Sequence, residues 1–345
     1  MSHLLDHIDQ RLSAWLSQRG EPAYRLGQVR RWVFNRRADN FASMSDLPAA
    51  LREVLAADFQ LWTTQVVKHL RADDGTEKLL LQMADGHRIE CVLLRQGPQR
   101  RTICISTQVG CAMGCVFCAS GLEGVARNLT TGEIVEQMLR LDRLLSADER
   151  LSHIVVMGMG EPLANLDNLL PALAEATNPA GLGISARRIT ISTVGLPAAI
   201  RRLAEKDLHY HLAVSLHAAD DELRNRLVPV NAKIGLAAIL EAADDYFAAT
   251  GRRLTFEYVL LGGINDRPSD ARKLASLLRD RTALVNVIPY NPVAGLPYET
   301  PSPEAVARFT SILEQSGIAI RIRRRKGDKI NAACGQLRRV MAQSV

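Results

Sequence analysis

The first 62 residues place apolar side chains three and four positions apart, the spacing that puts them on one face of a helix. Ser45 or Asp46 is a plausible N-cap, and Pro48 would stand just inside the helix that follows. The pattern therefore predicts a small domain of short amphipathic helices over residues 1–62.

The pattern changes between residues 65 and 100. The pairs Asp74-Gly75 and Asp85-Gly86 separate apolar runs at 79–81 and 89–94. Asp-Gly is typical of two-residue hairpin turns, because those turns need positive φ angles. We expect a β-rich connector over residues 63–100.

From residue 101 onward, apolar strand-like runs alternate with helical patterns at intervals of roughly 25 to 50 residues. This alternation indicates repeated β-α units and therefore a parallel sheet or a barrel. The predicted strands are Thr102–Ser106, Ile154–Met157, Ile189–Ser192, Leu212–Leu216, Leu254–Leu261 and Leu284–Ile288.

Polar or Gly-rich residues follow nearly every predicted strand. In barrel enzymes the chemistry takes place at the C-terminal ends of the strands, so we expect the functional site there. The segments are the cysteine-containing loop, Gly158–Pro162, Ser192–Gly195, Ser215–His217, Gly262–Asp266 and Tyr290–Pro292.

Composition narrows the setting of these thiols. Six cysteines in 345 residues are too few for a fold built on disulfides, and a chain of this length can bury its own core. The N-terminus lacks a basic segment followed by an apolar one, and no apolar run approaches ~18 residues. We expect a protein of the reducing cytoplasm, with no membrane partner.

The net charge of +6 is small, so its distribution is more informative. Positive charge is concentrated at 24–37 and 321–326, and both segments could contact phosphates. In the first, Trp32 and Phe34 alternate with arginines and could stack on RNA bases. They could equally be core anchors of the helical domain, with the arginines solvated around them.

Three thiols lie within eight residues, Cys111, Cys115 and Cys118, at the spacing C-x3-C-x2-C. Thiolates are the preferred ligands of iron-sulfur clusters and of zinc, and a closed site of either kind takes four protein ligands. Three thiolates would leave one iron of a 4Fe-4S cluster open to a small molecule. A zinc site completed by Cys104 or by a distant histidine is the alternative.

Three segments around and beyond these cysteines carry a resemblance. They are Ser106-Thr-Gln-Val-Gly-Cys111, Arg127-Asn-Leu-Thr130 and the C-terminal stretch Gly327–Leu337, which contains Ala332-Ala-Cys-Gly-Gln-Leu337. Over nearly its full length the chain resembles the RlmN/Cfr family of radical S-adenosylmethionine (SAM) RNA methyltransferases. The cysteine spacing alone would indicate only the superfamily, whereas the C-terminal motif is specific to the family.

The resemblance implies an α/β fold with a partial (β/α)6 radical SAM barrel over 101–320. It also implies a C-terminal segment, 321–345, that carries a methyl-accepting cysteine. The cofactors would be a 4Fe-4S cluster on the three cysteines and two SAM molecules per turnover, one as methyl donor and one as radical source. The implied SAM-binding residues are Gly160 and Glu161 for the amino group, Ser192 and Asn291 for polar edges, and Ser215, Leu216 and His217 for the ribose or carboxylate.

The family's chemistry gives further residues a role by resemblance. Cys334 would accept a methyl group and then carry it, as a carbon radical, to an electron-poor adenine carbon. Glu90 corresponds to the proposed acceptor of the ring proton, although position alone would make it an exposed strand residue. Cys104 corresponds to the resolving thiol that attacks the sulfur of Cys334 and forms a transient disulfide. Cys91, next to Glu90, would face the other side of a strand as a buried thiol.

The implied substrate is an adenosine of 23S ribosomal RNA, and transfer RNA for some members. The base must leave its stack to reach a buried sulfur, and we expect the N-terminal domain to supply RNA affinity. Pro162 and the helical domain favour carbon 2 of adenine over the carbon 8 of Cfr-type enzymes. We also expect a monomer with an external electron donor such as flavodoxin or ferredoxin.

Two other classes of protein fit parts of the pattern. A radical SAM enzyme for a peptide or small molecule would use Cys334 as an auxiliary ligand or a structural thiol. A non-enzymatic zinc-bearing RNA-binding protein would use the three cysteines for structure alone.

Overall fold

The computed structural model describes residues 1–206, 208–323 and 326–337. Its N-terminal unit has helices α1 (Ile8–Gln18), α2 (Tyr24–Arg30) and α3 (Ala49–Asp58), and α2 runs on into a π turn over Arg31–Asn35. Strand β1 (Ser2–His3) pairs with β2 (Phe59–Gln60) and so joins the two ends of the unit. The predicted small helical domain is present.

The predicted N-cap of α3 is wrong. The helix begins at Ala49 with Pro48 as the N-cap residue, whereas Ser45 and Asp46 lie further upstream. The carboxylate of Asp46 instead accepts a hydrogen bond of 2.5 Å from the indole nitrogen of Trp32. The side chain of Asp46 therefore makes a tertiary contact instead of capping the helix as the local pattern predicts.

The structure favours the core-anchor interpretation of the N-terminal aromatic residues. Phe34 is buried, and Trp32 is partly buried and packs against the same core. Arg30 is also buried and pairs with Asp9 and with Glu175 of the barrel layer, at 2.6 and 2.7 Å. Much of this basic segment is therefore used to build the domain and to dock it.

The connector is an antiparallel meander of β3 (Gln65–Arg71), β4 (Glu77–Gln82) and β5 (Arg88–Gln96). Its turns contain Gly75 and Gly86, with φ of +78° and +81°. The two predicted hairpins are confirmed, since glycine adopts these angles without steric cost.

The meander continues into one ten-stranded sheet with the order β14-β13-β12-β11-β10-β9-β6-β5-β4-β3. Strands β6 and β9 to β14 are parallel to one another, and all six predicted strands coincide with members of this set. A separate ribbon pairs β7 with β8. The strands are β6 (Arg100–Cys104), β7 (Gln108–Gly110), β8 (Val125–Asn128), β9 (His153–Val156), β10 (Ile189–Thr193), β11 (His211–Ser215), β12 (Leu254–Leu260), β13 (Ala283–Pro289) and β14 (Ala319–Ile322).

Helices separate the parallel strands along the chain, as repeated β-α units require. Several begin at side-chain caps, such as the capping box of Thr130 and Glu133 before α4. The helices are α4 (Thr131–Asp142), α5 (Leu166–Thr177), α6 (Pro197–Ala204), α7 (Asp221–Leu227), α8 (Leu236–Thr250), α9 (Pro268–Leu278) and α10 (Pro303–Gln315). Residues of β6 and of β14 line the same internal cavity, so the sheet curls into a partial barrel.

The N-terminal unit is held to the barrel by a buried carboxylate. Glu136 of α4 is fully buried and accepts hydrogen bonds from the backbone and hydroxyl groups of Thr63 and Thr64, at 2.5 to 3.0 Å.

The division of the chain into domains at residues 62, 100 and 320 stays a prediction. Arg324, Arg325 and residues 338–345 of the predicted C-terminal segment lie outside the described residues. In the described part of the chain, no helix is long and apolar enough to cross a membrane.

Candidate active site

The three-cysteine loop is held at its base by the β7–β8 ribbon. The backbone nitrogen of Cys111 donates to the oxygen of Gly124 at 2.9 Å, which brings the two ends of the loop together. Gly110 has φ of +81°, and a Cβ there would lie 2.0 Å from the same oxygen. Only glycine fits this position, so the local sequence fixes how the loop closes.

The thiols of Cys111, Cys115 and Cys118 line one cavity of about 160 Å³ at the C-terminal ends of the parallel strands. Burial raises the pKa of all three, for Cys111 to about 12. Buried thiols become thiolates readily only beside a cation, and the iron of a cluster would supply that charge. Three sulfur donors around one cavity therefore fit a 4Fe-4S cluster.

Within the described residues, no three His, Cys, Asp or Glu side chains converge closely enough to hold a metal ion. In a 4Fe-4S cluster each thiolate binds a different iron, so the three sulfurs need not meet at one point.

The C-terminal segment packs directly on the cysteine loop. The nitrogen of Ala119 donates to the oxygen of Gly335 at 2.8 Å, and the hydroxyl of Ser120 donates to the oxygen of Leu337 at 2.5 Å. Gln336 accepts from the nitrogen of Ala333 at 3.1 Å and donates to the oxygen of Pro292 at 2.9 Å. These bonds explain the residue types of the C-terminal motif, which place half-buried Cys334 beside the loop.

Asn291 joins the same arrangement from the end of β13. Its amide nitrogen donates to the oxygen of Cys334 at 3.1 Å. Its amide oxygen is buried and has no hydrogen-bond partner among the described residues. Because Asn291 lines the cavity, this orphaned acceptor fits a donor group of a bound SAM molecule.

Gly160 and Glu161 follow β9 and line the cavity as well. Gly160 has φ of +97°, and a Cβ there would lie 2.6 Å from Gln108. The carboxylate of Glu161 accepts from the nitrogens of Leu163 and Val194 at 3.0 and 2.8 Å, and burial raises its pKa. A buried carboxylate with a raised pKa is a good partner for the ammonium of SAM.

Ser192, Ser215 and His217 complete this side of the cavity. The two hydroxyls are 3.4 Å apart. Burial, and then Arg224, lowers the pKa of His217 to about 3, so the ring is neutral. Its Nδ1 accepts from the nitrogen of Val259 at 3.1 Å, which leaves the ring proton on Nε2 as a donor.

Leu216 differs from its neighbours. Its side chain is fully buried in the core and does not line the cavity. Its nitrogen donates to the oxygen of Glu257 at 3.0 Å, and its oxygen accepts from Arg224 at 3.0 Å. The structure thus brings the predicted SAM-binding residues together around one cavity, except for Leu216.

Cys104 ends β6 and is 8% exposed. Burial, and then the nearby Cys334, raises its pKa to about 12. Both thiols are free in the structure, so the transient disulfide stays a prediction.

Glu90 is not the exposed strand residue that its position suggested. It is buried on β5, and its carboxylate lies 2.7 Å from the ammonium of Lys78 on β4. Lys78 also donates to the oxygen of Asn331 at 2.9 Å, in the segment that carries Cys334. Cys91 is fully buried, as predicted.

A second cavity of about 540 Å³ fills the barrel beyond Cys334. Cys334, Met157, Glu257, Asn291 and Arg323 line both cavities, so the thiol stands between them. Sequence reasoning missed Glu257, Arg323 and Lys78. A charged residue inside the apolar run of β12 was the available signal for Glu257, whose carboxylate accepts from Asn286 at 2.9 Å.

Comparison with known proteins agrees with this geometry. A model of the radical SAM superfamily matches residues 105–275, and a model of the ribosomal RNA large subunit methyltransferase N-terminal domain matches residues 2–61. The probable dual-specificity RNA methyltransferase RlmN of Rhodopirellula baltica is 62% identical over 98% of this chain and 91% of that protein. The protein of the same name in Symbiobacterium thermophilum is 49% identical over 92% of this chain and 86% of that protein.

A crystal structure of a radical SAM methyltransferase from Sphaerobacter thermophilus superimposes with a TM-score of 0.95 and 42% identity, over 98% of this chain and 99% of that one. This similarity confirms the predicted α/β radical SAM barrel. Together with the sequence matches, it shows that the chain belongs to the RlmN family of radical SAM RNA methyltransferases.

Proposed function

We propose that this enzyme methylates carbon 2 of an adenosine in 23S ribosomal RNA through an S-methylcysteine at Cys334. The observation that carries the proposal is the position of Cys334, docked on the cysteine loop and facing both cavities. Relatives with the name dual-specificity RNA methyltransferase support a second RNA substrate, and we propose transfer RNA for it.

Cys111, Cys115 and Cys118 would hold the 4Fe-4S cluster, whose chemistry with SAM is reductive cleavage to an organic radical. Around it, Glu161 would bind the amino group of SAM, and Asn291 would accept a hydrogen bond through its free amide oxygen. The side chains that enclose the smaller cavity would exclude water from the reacting groups.

Cys334 acts twice in the proposed reaction. Its thiolate first takes the methyl cation of one SAM, as an ordinary sulfur nucleophile. The organic radical from the second SAM then removes a hydrogen atom from this methyl group. The methylene radical that remains attached to the sulfur adds to the adenine ring through its carbon. The direct route is unfavourable, because carbon 2 of adenine is electron-poor and not a nucleophile.

Glu90 and Cys104 complete the proposed reaction. The carboxylate of Glu90 takes the proton from the substituted ring carbon. The thiol of Cys104 attacks the sulfur of Cys334, so that the carbon–sulfur bond breaks and a disulfide forms. The proton of the thiol completes the methyl group, and the unpaired electron left on the ring returns to the external electron carrier. An external reductant then returns both cysteines to thiols. We propose flavodoxin or ferredoxin as electron donor, a monomeric enzyme and a cytoplasmic location, in keeping with six free thiols.

Mass spectrometry of enzyme isolated with SAM available tests the route. We expect a methyl mass on the peptide that contains Cys334, and none in a Cys334→Ala variant. Unmethylated Cys334 in active wild-type enzyme would contradict it.

The position of methylation needs its own assay. The purified enzyme should convert an unmodified 23S rRNA fragment to 2-methyladenosine, which chromatography separates from 8-methyladenosine. Formation of the 8-isomer would assign the enzyme the Cfr-type specificity instead.

A further inference from the structure

A set of arginines lies around the barrel, and all of them except Arg321 stand at the end opposite to the thiols, where the parallel strands begin. Arg100 starts β6, Arg188 and Arg187 directly precede β10, Arg253 and Arg252 directly precede β12, and Arg321 lies on the edge strand β14. We call these six residues the basic rim. Most of its members are exposed.

Electrostatic effects on neighbouring groups show that the members stand close together. Burial, and then Arg100 and Arg188, lowers the pKa of His153 at the start of β9 to about 4. Burial, and then Arg321 and Arg323, lowers the pKa of Arg100. Arg100, Arg188 and Arg321 therefore lie near one another and form one zone of positive charge.

The guanidinium of Arg252 continues this zone. It lies 2.7 Å from Nε2 of His211, at the start of β11, and its Nε is buried without a hydrogen-bond partner among the described residues. The guanidinium donates this hydrogen bond to His211, whose pKa is lowered by burial and then by Arg252, so the ring is neutral and the charge of Arg252 has no counter-ion in the described part of the chain.

Ion pairing separates the rim from other arginines of the fold. No rim arginine forms an ion pair with a carboxylate in the described ranges of the chain, whereas Arg101, beside Arg100, pairs with Glu149. On the outer face, Arg201 pairs with Asp245, and Arg202 pairs with Asp167. Carboxylates thus neutralise Arg101, Arg201 and Arg202, whereas the rim arginines remain available to an anion.

Two of the rim residues line the larger cavity. Arg100 and Arg321 line this cavity together with Thr190 and Thr255, which stand near the starts of β10 and β12. Its other end is formed by Cys334 and Asn291. A volume of about 540 Å³ falls within the range of small-molecule sites, so one nucleoside can enter from the rim and reach the thiol.

We propose that the basic rim binds the phosphodiester backbone on both sides of the target adenosine, so that the unstacked base enters the barrel from this end. The inference rests on the proposed function and adds the residues and the direction of approach. Extruding a base pulls its flanking phosphates toward the opening, where arginines offset the cost of unstacking. An acidic electron donor is the weaker occupant, because the cysteine loop lies at the other end of the strands.

The test compares two double variants of the reconstituted full-length enzyme. Arg100→Gln/Arg321→Gln removes two rim charges, and Arg201→Gln/Arg202→Gln removes two paired charges from α6. Binding of a 23S rRNA fragment is measured over a series of KCl concentrations, without reductant. Each lost single-strand phosphate contact should reduce the slope of log Kd against log salt by ~0.7, so the rim variant should lose ~1.4 and bind at least ~10-fold more weakly. The α6 variant should keep both values.

One further variant and one check of folding make the result specific. Arg100→Lys/Arg321→Lys retains the charges and should recover most of the slope. Methylation of Cys334 by SAM needs no RNA, so it should proceed normally in every variant and show that the site is folded.

A rim variant with the wild-type slope and affinity would overturn the inference. So would a wild-type slope combined with slower reduction by flavodoxin, which would assign the rim to a protein donor. Absence of a methyl group on Cys334 in wild-type enzyme would instead contradict the proposed function, and RNA binding would still report on the rim.

Discussion

The two ends of the barrel strands use charge in opposite ways. At the C-terminal end, buried groups are tied to one another: Glu161 bonds two backbone nitrogens, and Glu90 pairs with Lys78. At the N-terminal end, the rim arginines are mostly exposed and have no carboxylate partners in the described part of the chain, although Arg101 beside them pairs with Glu149. One strand can show both, since β6 begins at Arg100 and ends at Cys104. The comparison indicates that one end is built for chemistry and the other to hold an anion.

The largest expected effect is a loss of RNA methylation, without loss of RNA binding, when the thiol of Cys334 is removed from the C-terminal end of the barrel. Cys334→Ala should abolish RNA methylation, because the proposed route carries the methyl group on the sulfur of Cys334. Binding of RNA should remain within ~2-fold of wild type, since the rim is untouched. Product analysis by liquid chromatography and a binding titration measure the two quantities. Methylation by the variant would break the assignment of Cys334.

Loss of the Cys104 thiol should stop the reaction one step later, at release of the RNA from Cys334. In Cys104→Ala the methylene carbon is already joined to the RNA, and no thiol can attack the sulfur of Cys334. We expect methylated product to fall at least ~100-fold and a covalent protein–RNA adduct to accumulate. Denaturing gel electrophoresis detects the adduct. Free, methylated RNA at the wild-type rate would show that another group resolves it.

The buried state of Cys104 predicts a pH dependence for release of the RNA. Its pKa is raised to about 12, chiefly by burial, so the thiolate is scarce at neutral pH and increases as the pH rises. The rate of adduct breakdown should therefore rise about tenfold per pH unit between about pH 7 and 9, without a plateau. Pre-formed adduct, followed by rapid mixing into buffers, isolates this step. A plateau near pH 7 would contradict the account.

Substitutions at the two ends of the barrel should also differ in their effect on the free energy of unfolding, although this difference is smaller than the effects on catalysis. Lys78→Met removes the ammonium from a buried carboxylate and from the oxygen of Asn331, so we expect the free energy of unfolding to fall by ~3 kcal/mol. Lys78→Arg should lose less. Arg100→Gln/Arg321→Gln should change it by less than ~1 kcal/mol, because neither side chain makes an ion pair with a described residue. Urea denaturation checks all three, and equal losses would break the comparison.

The smallest effect is expected in the N-terminal basic segment. Arg30 and Arg37 are committed to Glu175 and Asp142, which leaves Arg31 and Arg36 exposed. Arg31→Gln/Arg36→Gln should weaken RNA binding by only ~2- to 3-fold, less than the rim variant. A larger loss than at the rim would support the helical domain as the main source of RNA affinity.

Local pattern predicted the elements well because each depends on neighbouring residues. The Asp-Gly turns and the apolar strands are encoded within a few positions, and the structure has them where expected. The predicted N-cap of α3 is wrong because Asp46, in the turn before α3, bonds to Trp32 of the π turn, a tertiary contact that periodicity does not show.

The candidate site was predictable where a motif carries the residue type. Cys111, Cys334 and Glu161 were assigned from motifs, and the structure brings them around one cavity. Lys78 was missed because its partner Glu90 lies on the next strand, and Asn331 is more distant still. Of the rim, only Arg321 lies in a segment that the sequence marks as a possible phosphate contact. The other rim arginines lie at or directly before the starts of different strands, and only the topology of the sheet brings them together.

The origin of the transferred carbon tests the central claim most directly. Enzyme is first loaded from SAM with a trideuterated methyl group, freed of excess SAM, and then given RNA, reductant and unlabelled SAM. If Cys334 carries the methyl group, the RNA formed in the first turnover should contain a methyl group with two deuterium atoms, because one is removed before transfer. A methyl group with no deuterium in that first turnover would contradict the account.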